Sequence, residues 1–413
     1  MQMINNIEII LPKRIYVLRE RKNQDIKNRP EEFSLYFKNF IHPVYPWHDI
    51  TVECEYGKNL GNCWRLTSYP DADEFELKIK IYDEYGNLAA SKGTVIELYD
   101  RDVSEPFNII CIGDSMTHKS EYVAQMQNKL YNVFTRGTRS FDGHVFTEGR
   151  GGWAYRTYFE RAYLPEGGGS PVSPFLFPEG IEGKDYFGDI EYFEKLSSEN
   201  RSTYNFDGFT PETIKEGQYY YKKGKLYRYG DDKPVMDEVK WEFSFKKYLE
   251  RNNIKTDAVS LLLGANDLQL TPYERTYEDT VGFVENTKRF VEAIKAADEN
   301  IDVIINLPVC GAEQYAWGMQ LGCWGSEKNY AHNMRSLSKA LIQEFDGKDG
   351  VYICPMMCCI DNEYGFAHAS AGVNMYDSTQ VLYQSNWVHP NSVGYRQMGD
   401  ALAGVVEMLR HKK

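Results

Sequence analysis

Four short apolar segments constrain the fold of this chain most strongly. They read FNIICIG (107–113), DAVSLLLG (257–264), IDVIINLPV (301–309) and GVYICPM (350–356). The first lacks strict alternation of apolar and polar residues, which is typical of a strand covered on both faces of a parallel sheet. Stretches with apolar residues at helical spacing lie between these segments and after the last one. Because right-handed crossovers place helices on both faces of such a sheet, the pattern predicts a three-layer α/β/α sandwich.

The region before residue 105 has a different pattern. Two alternating runs flank Tyr85-Gly86-Asn87 and predict a β-hairpin, and no helical period of useful length is present. We therefore expect a small all-β sandwich domain over residues 1–104 and an α/β domain over residues 105–413. Residues from about 165 to 250, rich in Gly, Pro and Tyr, predict an insertion with its own hairpin, either a lid or a neutral elaboration.

Charge and hydropathy narrow the classes of partner. The formal net charge is −13 and no dense block of Lys and Arg occurs, which argues against a nucleic-acid partner. No apolar stretch reaches the ~18 residues that a membrane span needs, and the N-terminus has no signal-peptide pattern. On the given sequence we expect a cytoplasmic protein without a membrane partner, or a secreted one if a signal was removed. The oligomeric state is unknown at this level.

The eight cysteines do not have the spacing of a metal site. Cys111, Cys310, Cys354 and Cys358 lie in or beside apolar runs, where buried thiols are expected. The CPMMCC segment has no second Cys/His pair at ligand spacing. We therefore predict neither a metal nor an organic cofactor.

Four motifs carry side chains suited to chemistry. Ser115 follows the first strand in IICIGDSMTH, at a helix start where the helix dipole and free N–H groups favour an oxyanion. Gly149 lies in HVFTEGRGGWAY, where a loop can offer main-chain N–H groups. Asn266 follows a buried strand in GANDLQ, and His389 precedes the last helix in SNWVHPN. Each motif alone is also typical of an ordinary turn or cap, but ligands bind outside the carboxyl ends of such strands.

Taken in this order, the four motifs resemble those of the GDSL-type SGNH hydrolase family. The resemblance covers roughly residues 105–164 and 251–413. It implies a flavodoxin-like fold and ester hydrolysis through an acyl-enzyme, since serine is a poor nucleophile that needs a neighbouring base. The implied roles are nucleophile for Ser115, base for His389, and oxyanion donors in Ser115, Gly149 (with Gly151 as the alternative) and Asn266.

One position departs from the family pattern. The family usually has an aspartate three residues before the histidine, and this chain has Asn386. An asparagine oxygen can accept the imidazole N–H but carries no charge; in serine proteases the equivalent Asp→Asn change lowers turnover about 10⁴-fold. Three interpretations stay open. The ring is oriented by Asn386 or a main-chain carbonyl, another carboxylate such as Asp377 has taken over, or the protein is a weakened hydrolase that binds.

The substrate class is narrowed only by the resemblance and by the aromatic residues. A preceding β-domain is common in carbohydrate esterases of this family, and no long apolar helix suggests an acyl-chain tunnel. We therefore expect an O-acetyl esterase acting on a carbohydrate. The alternatives are a lysophospholipase or thioesterase, acetyl transfer to a sugar, and a glycan-binding protein. The residues expected to stack on sugars are Trp153, Tyr155, Trp317 and Trp324. Those expected to line the pocket are Asp114, Gly151, Trp153 and Trp387.

Overall fold

The N-terminal part of the chain is built mainly from β-strands. The structure is a computed structural model that describes residues 7–19, 32–43, 45–162, 172–191 and 213–413. The first elements are β1 (Glu8–Ile9), β2 (Arg14–Arg19), β3 (Phe33–Tyr36), α1 (Phe37–Phe40), β4 (Ile41–His42), β5 (Asp49–Glu53), β6 (Lys58–Asn59), β7 (Cys63–Leu66), β8 (Glu74–Tyr82) and β9 (Leu88–Asp100). They form a four-stranded sheet in the order β2-β9-β8-β5, a three-stranded sheet in the order β3-β7-β6, and the pair β1-β4.

The predicted hairpin in this part is confirmed. Strands β8 and β9 pair antiparallel on either side of residues 83–87. The Asp83 carboxylate accepts the main-chain N–H groups of Tyr85 at 2.9 Å and Asn87 at 2.8 Å. This local side-chain cap explains why the short polar turn closes the two long strands.

Strands and helices alternate after residue 106, with an interruption in the middle. The elements up to the interruption are β10 (Phe107–Gly113), α2 (Ser115–His118), α3 (Glu121–Lys129), β11 (Val133–Arg136), β12 (Arg139–Ser140), β13 (Phe146–Gly149) and α4 (Tyr155–Glu160). The interruption contains β14 (Leu176–Pro178), β15 (Tyr186–Asp189), β16 (Tyr219–Lys222), β17 (Lys225–Arg228), β18 (Pro234–Met236) and β19 (Trp241–Phe243).

The last third of the chain completes the alternation. Its elements are α5 (Phe245–Asn252), β20 (Ala258–Leu262), α6 (Ala265–Leu268), α7 (Thr276–Ala297), β21 (Asp302–Asn306), α8 (Gln314–Leu321), α9 (Glu327–Phe345), β22 (Val351–Cys354), α10 (Met356–Cys359), β23 (His368–Asn374), β24 (Asp377–Gln384) and α11 (Ser392–Lys412). Short 3₁₀ turns occur at Gly183–Asp185, Tyr273–Arg275 and Gly322–Trp324. Within the described ranges, no helix is both long and apolar enough to cross a bilayer.

The predicted parallel sheet is confirmed. β20, β21 and β22 follow one another on one side of β10, and β11 and β13 pair with successive halves of its other edge, all parallel. This is the strand order 2-1-3-4-5 of flavodoxin-like sheets. Helix α11 packs on α3, while α9 packs on α7 and α7 on α5. The strand order reverses at β10, because β11 and β13 lie on one side of it and β20 on the other. A crevice therefore opens at the carboxyl ends of β13, β10 and β20.

The predicted insertion has its own small sheet. β15, β16, β17 and β18 form four strands in that order, and β16 and β17 are the predicted hairpin. Residues 163–171 and 192–212 of the region lie outside the described ranges. α5 then leads the chain back to the central sheet, where Tyr248 is fully buried.

The N-terminal sheets pack directly on the last helix. Helix α11 lies against β2 and β9, and a Cβ atom added to Gly404 would collide with the Tyr16 carbonyl oxygen. The side chain of Asn39 donates to the Ile360 carbonyl at 2.8 Å. The buried apolar residues of both parts form one continuous cluster, so the contact is a packed core and not a loose linker.

This close approach gives a test of the packing. Replacing Gly404 with Ala places a methyl group against the main chain of Tyr16, and overpacking of this kind typically costs about 1–3 kcal/mol. We expect a lower free energy of unfolding in urea. Gly282→Ala is the matched control, because that helical glycine has no atom within 4 Å of an added Cβ and alanine favours a helix by about 1 kcal/mol. Equal stability of Gly404→Ala and the wild type would contradict the packing.

Candidate active site

Ser115 and His389 meet at the carboxyl end of β10. The Ser115 Oγ and His389 Nε2 atoms lie 2.8 Å apart, and both side chains are half-buried. Ser115 opens helix α2, whose N-cap is Asp114: its carboxylate accepts the N–H of Met116 at 2.9 Å. Gly113 allows the turn, because an added Cβ would collide with the neighbouring helix. The distance is that of a serine nucleophile and its base.

Asn386 holds the main chain of the histidine turn. Its side-chain oxygen accepts the N–H of His389 at 2.9 Å and that of Val388 at 3.3 Å. Within the described part of the chain, no group accepts a hydrogen bond from His389 Nδ1. The expectation that the amide of Asn386 orients the imidazole is therefore corrected: it sets the position of the backbone that carries the ring.

Asp377 does not replace the missing carboxylate. It begins β24, where its carboxylate accepts the N–H of Thr379 at 2.9 Å. Gln384, the buried end of the same strand, lies seven positions farther along the chain, a span of about 23 Å in an extended strand. Among the described residues no contact joins Asp377 to His389, and Asp377 is not among the groups that shift the pKa of His389, so the structure gives the second interpretation of the Asn386 position no support.

The surroundings of His389 favour its neutral form. Burial lowers the pKa of His389 below its ordinary value, and the positive charge of Lys119 lowers that pKa further. Neither cause involves a carboxylate. A neutral imidazole can accept a proton, so both influences favour the form that a general base requires.

Gly149 does not take the role expected for it. Its N–H donates to Thr147 Oγ1 at 3.4 Å, and its carbonyl accepts from Arg139. A Cβ added to Gly149 would collide with the main chain of His118. This glycine therefore allows β13 to pass closely beneath α2, and its N–H already has an acceptor.

The turn after β13 offers free donors instead. Arg150 donates its N–H to the Gly113 carbonyl at 2.8 Å, and Trp153 donates to the Arg150 carbonyl at 3.2 Å. Between these anchors, Gly151 and Gly152 are exposed, and Gly152 has a φ of 74°. In the described ranges, neither of their N–H groups has an acceptor. Gly151, the sequence-based alternative to Gly149, thus keeps an uncommitted main-chain N–H in the described part of the chain.

Asn266 joins this turn to strand β20. It lies in the first turn of α6, and its Nδ2 donates to the Trp153 carbonyl at 3.1 Å, which leaves one amide N–H uncommitted. The neighbouring Asp267 accepts the N–H of Tyr155 at 3.1 Å. Burial raises the pKa of Asp267 to about 7, and the proximity of Asp114 contributes. Through its contact with Tyr155, Asp267 braces the loop that follows β20.

A buried network that sequence reasoning missed supports the turn. The fully buried Glu148 carboxylate accepts from Arg150 Nη2 at 2.7 Å and from the Tyr248 hydroxyl at 2.7 Å. The Tyr158 hydroxyl lies 2.8 Å from the Gly113 carbonyl oxygen and 2.6 Å from that of Glu148. The charged pair in FTEGRGG was the available signal for Glu148. Tyr248 is 100 residues away from it and had none.

Most residues expected to contact substrate are buried. Trp153 and Tyr155 are 2% exposed and Trp317 is 1% exposed, so they cannot stack on a sugar ring. Asp114 is also buried beneath the serine turn. Trp387 is half-buried with its ring 4.7 Å from that of Trp317. Of the four proposed sugar platforms, Trp324 is exposed. The expectation that these rings stack on sugars failed because aromatic residues in segments that look like loops in the sequence pack into the core.

One group within the described residues has the distances of a metal site. Ligand atoms of Asp102, Glu407 and His411 lie within 4.8 Å of one another. Arg410 donates to Glu407 at 2.7 Å, and His411 Nε2 is 2.9 Å from the Asp100 carbonyl oxygen. These contacts already occupy the donor atoms, so the group reads as an ion-pair cluster that joins α11 to the end of β9.

The fold and the site together define an α/β protein with a serine–histidine pair at the carboxyl edge of a parallel sheet. Residues 109–402 match the family described as GDSL-like Lipase/Acylhydrolase. Because this match spans well over half of the chain, the protein belongs to that family and to the class of ester-hydrolysing enzymes.

Solved structures similar to this chain have low sequence identity. A carbohydrate esterase of family 3 from Talaromyces cellulolyticus shares 12% identity, covering 74% of this chain and 99% of its own, with a TM-score of 0.36. A carbohydrate acetylesterase family member from Sinorhizobium meliloti shares 15%, with the same coverages and a TM-score of 0.34. A peptidoglycan O-acetylesterase shares 12%, covering 75% and 93%, with a TM-score of 0.33. Comparison with curated proteins gives no significant match.

The charge of Lys119 provides a pH test of the base. Because a lowered pKa keeps His389 neutral, we expect the acid limb of kcat/KM for 4-nitrophenyl acetate to have its midpoint below about 6.5. Lys119→Gln removes the positive charge and moves this midpoint upward. Lys78→Gln, which changes the net charge equally on an exposed strand position, leaves it in place. An identical limb in both variants would show that Lys119 does not act on the base.

Substitutions of Asn386 test its role in the turn. Asn386→Ala removes the acceptor of two main-chain N–H groups and shifts the imidazole, so we expect kcat to fall about 10- to 100-fold. Asn386→Asp keeps an oxygen in place and retains activity near or above the wild-type value. Both kcat values are measured with 4-nitrophenyl acetate. Equal losses in the two variants would show that the amide N–H₂ group itself is required.

Proposed function

We propose that the protein hydrolyses small acyl esters, above all O-acetyl esters of carbohydrates, through an acyl-enzyme formed on Ser115. The observation that carries the proposal is the 2.8 Å contact between Ser115 Oγ and His389 Nε2 at the carboxyl edge of the sheet. It is supported by uncommitted N–H groups on both sides of that contact. The helices pack in two groups, α11 with α3 and α9 with α7 and α5. This arrangement fits the expected three-layer sandwich.

The first half of the reaction uses His389 as the base. As Ser115 Oγ attacks the ester carbonyl, its proton passes to His389 Nε2, and the imidazolium then gives that proton to the leaving alcohol oxygen. No carboxylate faces the ring in the described ranges, so the pair acts as a dyad. Water repeats the sequence on the acyl-enzyme, and release of the carboxylic acid restores the free serine.

Three donors from three elements would stabilise the tetrahedral oxyanion. They are the N–H of Ser115 at the start of α2, an N–H of the Gly151–Gly152 turn, and the free amide hydrogen of Asn266. Ser115 N has no acceptor in the described part of the chain. Loss of one such donor typically lowers turnover about 10²- to 10³-fold. These groups also argue against a purely glycan-binding protein, because binding alone does not need them.

Exposed aromatic rings beside the histidine turn support a carbohydrate substrate. Tyr364 is 62% exposed, and its carbonyl accepts from the Asn391 side chain, two residues beyond His389. Tyr315 and Tyr383 stack with ring centroids 3.9 Å apart where β24 leads into the turn. Such rings can stack on the apolar faces of sugars. They replace the buried tryptophans of the sequence-based expectation.

Serine dependence and acyl preference test the proposal together. Ser115→Ala should lower kcat for 4-nitrophenyl acetate at least about 10³-fold. Ser370→Ala, on the exposed strand β23, should not change it. We expect acetyl esters to be cleaved faster than butyryl and octanoyl esters, and acetate to be released from partially acetylated glycans. A preference for octanoyl esters would instead identify a lysophospholipase or thioesterase, and rates independent of Ser115 would refute the mechanism.

A further inference from the structure

A polar cleft adjoins the proposed oxyanion site. It has a volume of about 240 Å³, and Asn266 lies at one side of it, with Gln269, Leu270, Arg275 and Asp279 among the residues that line it. This volume equals roughly eight water molecules' share of the liquid, enough for one monosaccharide unit. Asn266 belongs both to this lining and to the proposed oxyanion site, so the two share one side.

The lining offers hydrogen-bond donors and acceptors that the protein itself does not use up. Arg275 Nη2 donates to one oxygen of Asp279 at 2.7 Å, and Thr271 Oγ1 donates to the other at 2.8 Å. The Arg275 side chain is 60% exposed, and its Nε and Nη1 groups have no acceptor in the described part of the chain. The Gln269 side chain is likewise without a partner among the described residues.

This set of groups selects between ligand chemistries. A long acyl chain in the cleft would cover the guanidinium and amide groups without replacing their hydrogen bonds to water, which is unfavourable. A phosphate or a uronate would gain little net attraction, because the Asp279 carboxylate offsets the positive charge of Arg275. Neighbouring hydroxyl groups both donate and accept, so an uncharged sugar can satisfy Arg275, Asp279 and Gln269 together.

We propose that this cleft is a glycan subsite, which binds an uncharged sugar residue of the alcohol portion of the ester through Arg275, Gln269 and Asp279. The proposal rests on the proposed function and deepens it. Arg275 and Gln269 act on binding of the alcohol portion and take no part in bond cleavage. Substrates whose alcohol portion is too small to reach the cleft are therefore insensitive to both residues.

The test compares two substrates in one double variant. In Gln269→Ala/Arg275→Ala, we expect kcat/KM for partially O-acetylated xylotriose and chitotriose to fall at least about tenfold, since the variant loses hydrogen bonds from a charged group and from an amide. The loss should appear mainly in KM. The kcat/KM for 4-nitrophenyl acetate should stay unchanged. Arg156→Ala is the matched control, because that exposed arginine also pairs with a carboxylate four residues later but lies outside the cleft.

Each outcome separates the subsite from the esterase activity. Undiminished hydrolysis of both acetylated oligosaccharides by the double variant would overturn the subsite and leave the esterase intact. An equal loss with 4-nitrophenyl acetate, at unchanged thermal stability, would also overturn it, by showing an effect on the reacting centre. A wild-type enzyme that cleaves 4-nitrophenyl acetate but neither oligosaccharide would refute the glycan subsite and the carbohydrate substrate together. Failure of the wild type with all esters would refute the proposed function itself.

Discussion

The buried ion pair between Glu148 and Arg150 is the interaction on which the geometry of the site depends. Its two side chains are 0% and 2% exposed, and removal of one partner of such a pair typically costs about 3–5 kcal/mol because the other charge is left unpaired. Arg150 also donates its main-chain N–H to the carbonyl of Gly113, two residues before the serine. One residue therefore fixes both the buried charge and the start of the glycine turn. Through Tyr248, the same carboxylate ties the end of the insertion to the sheet.

The site differs from a Ser-His-Asp triad in the contacts of the histidine ring. The expected third residue supports the backbone of the turn, and the ring keeps one nitrogen without a protein acceptor among the described residues. Burial and a nearby ammonium group lower the pKa of the imidazole and so favour its neutral form. The same two influences disfavour the imidazolium that forms as the serine proton is taken. In the proposed mechanism, stabilisation of the oxyanion by main-chain and amide donors would therefore contribute more than stabilisation of the charged base.

The parts of the site that follow directly from strand ends were predictable. Parallel strands bring their carboxyl ends to one edge, so Ser115 and Asn266 had to lie near each other once β10 and β20 were recognised. The role of Gly149 was not predictable, because a glycine that allows close packing and a glycine that presents an N–H look alike in sequence. The contact of Tyr248 with Glu148 was not predictable for another reason, because the two residues lie 100 positions apart in the sequence. The burial of Trp153 depends on the packing of α4, which its own segment does not encode.

The last helix connects the histidine turn to the N-terminal sheets. Helix α11 begins three residues after His389 and is roughly 31 Å long; its N-terminal cap, Asn391, hydrogen-bonds the segment that flanks the histidine turn. Farther along, the helix rests on β2 through Gly404. The N-terminal sheets thus pack against one part of the helix whose N-terminal end follows His389. Residues 14–19 therefore contribute to the packing of the helix that follows His389, although they lie outside the segment that matches the family.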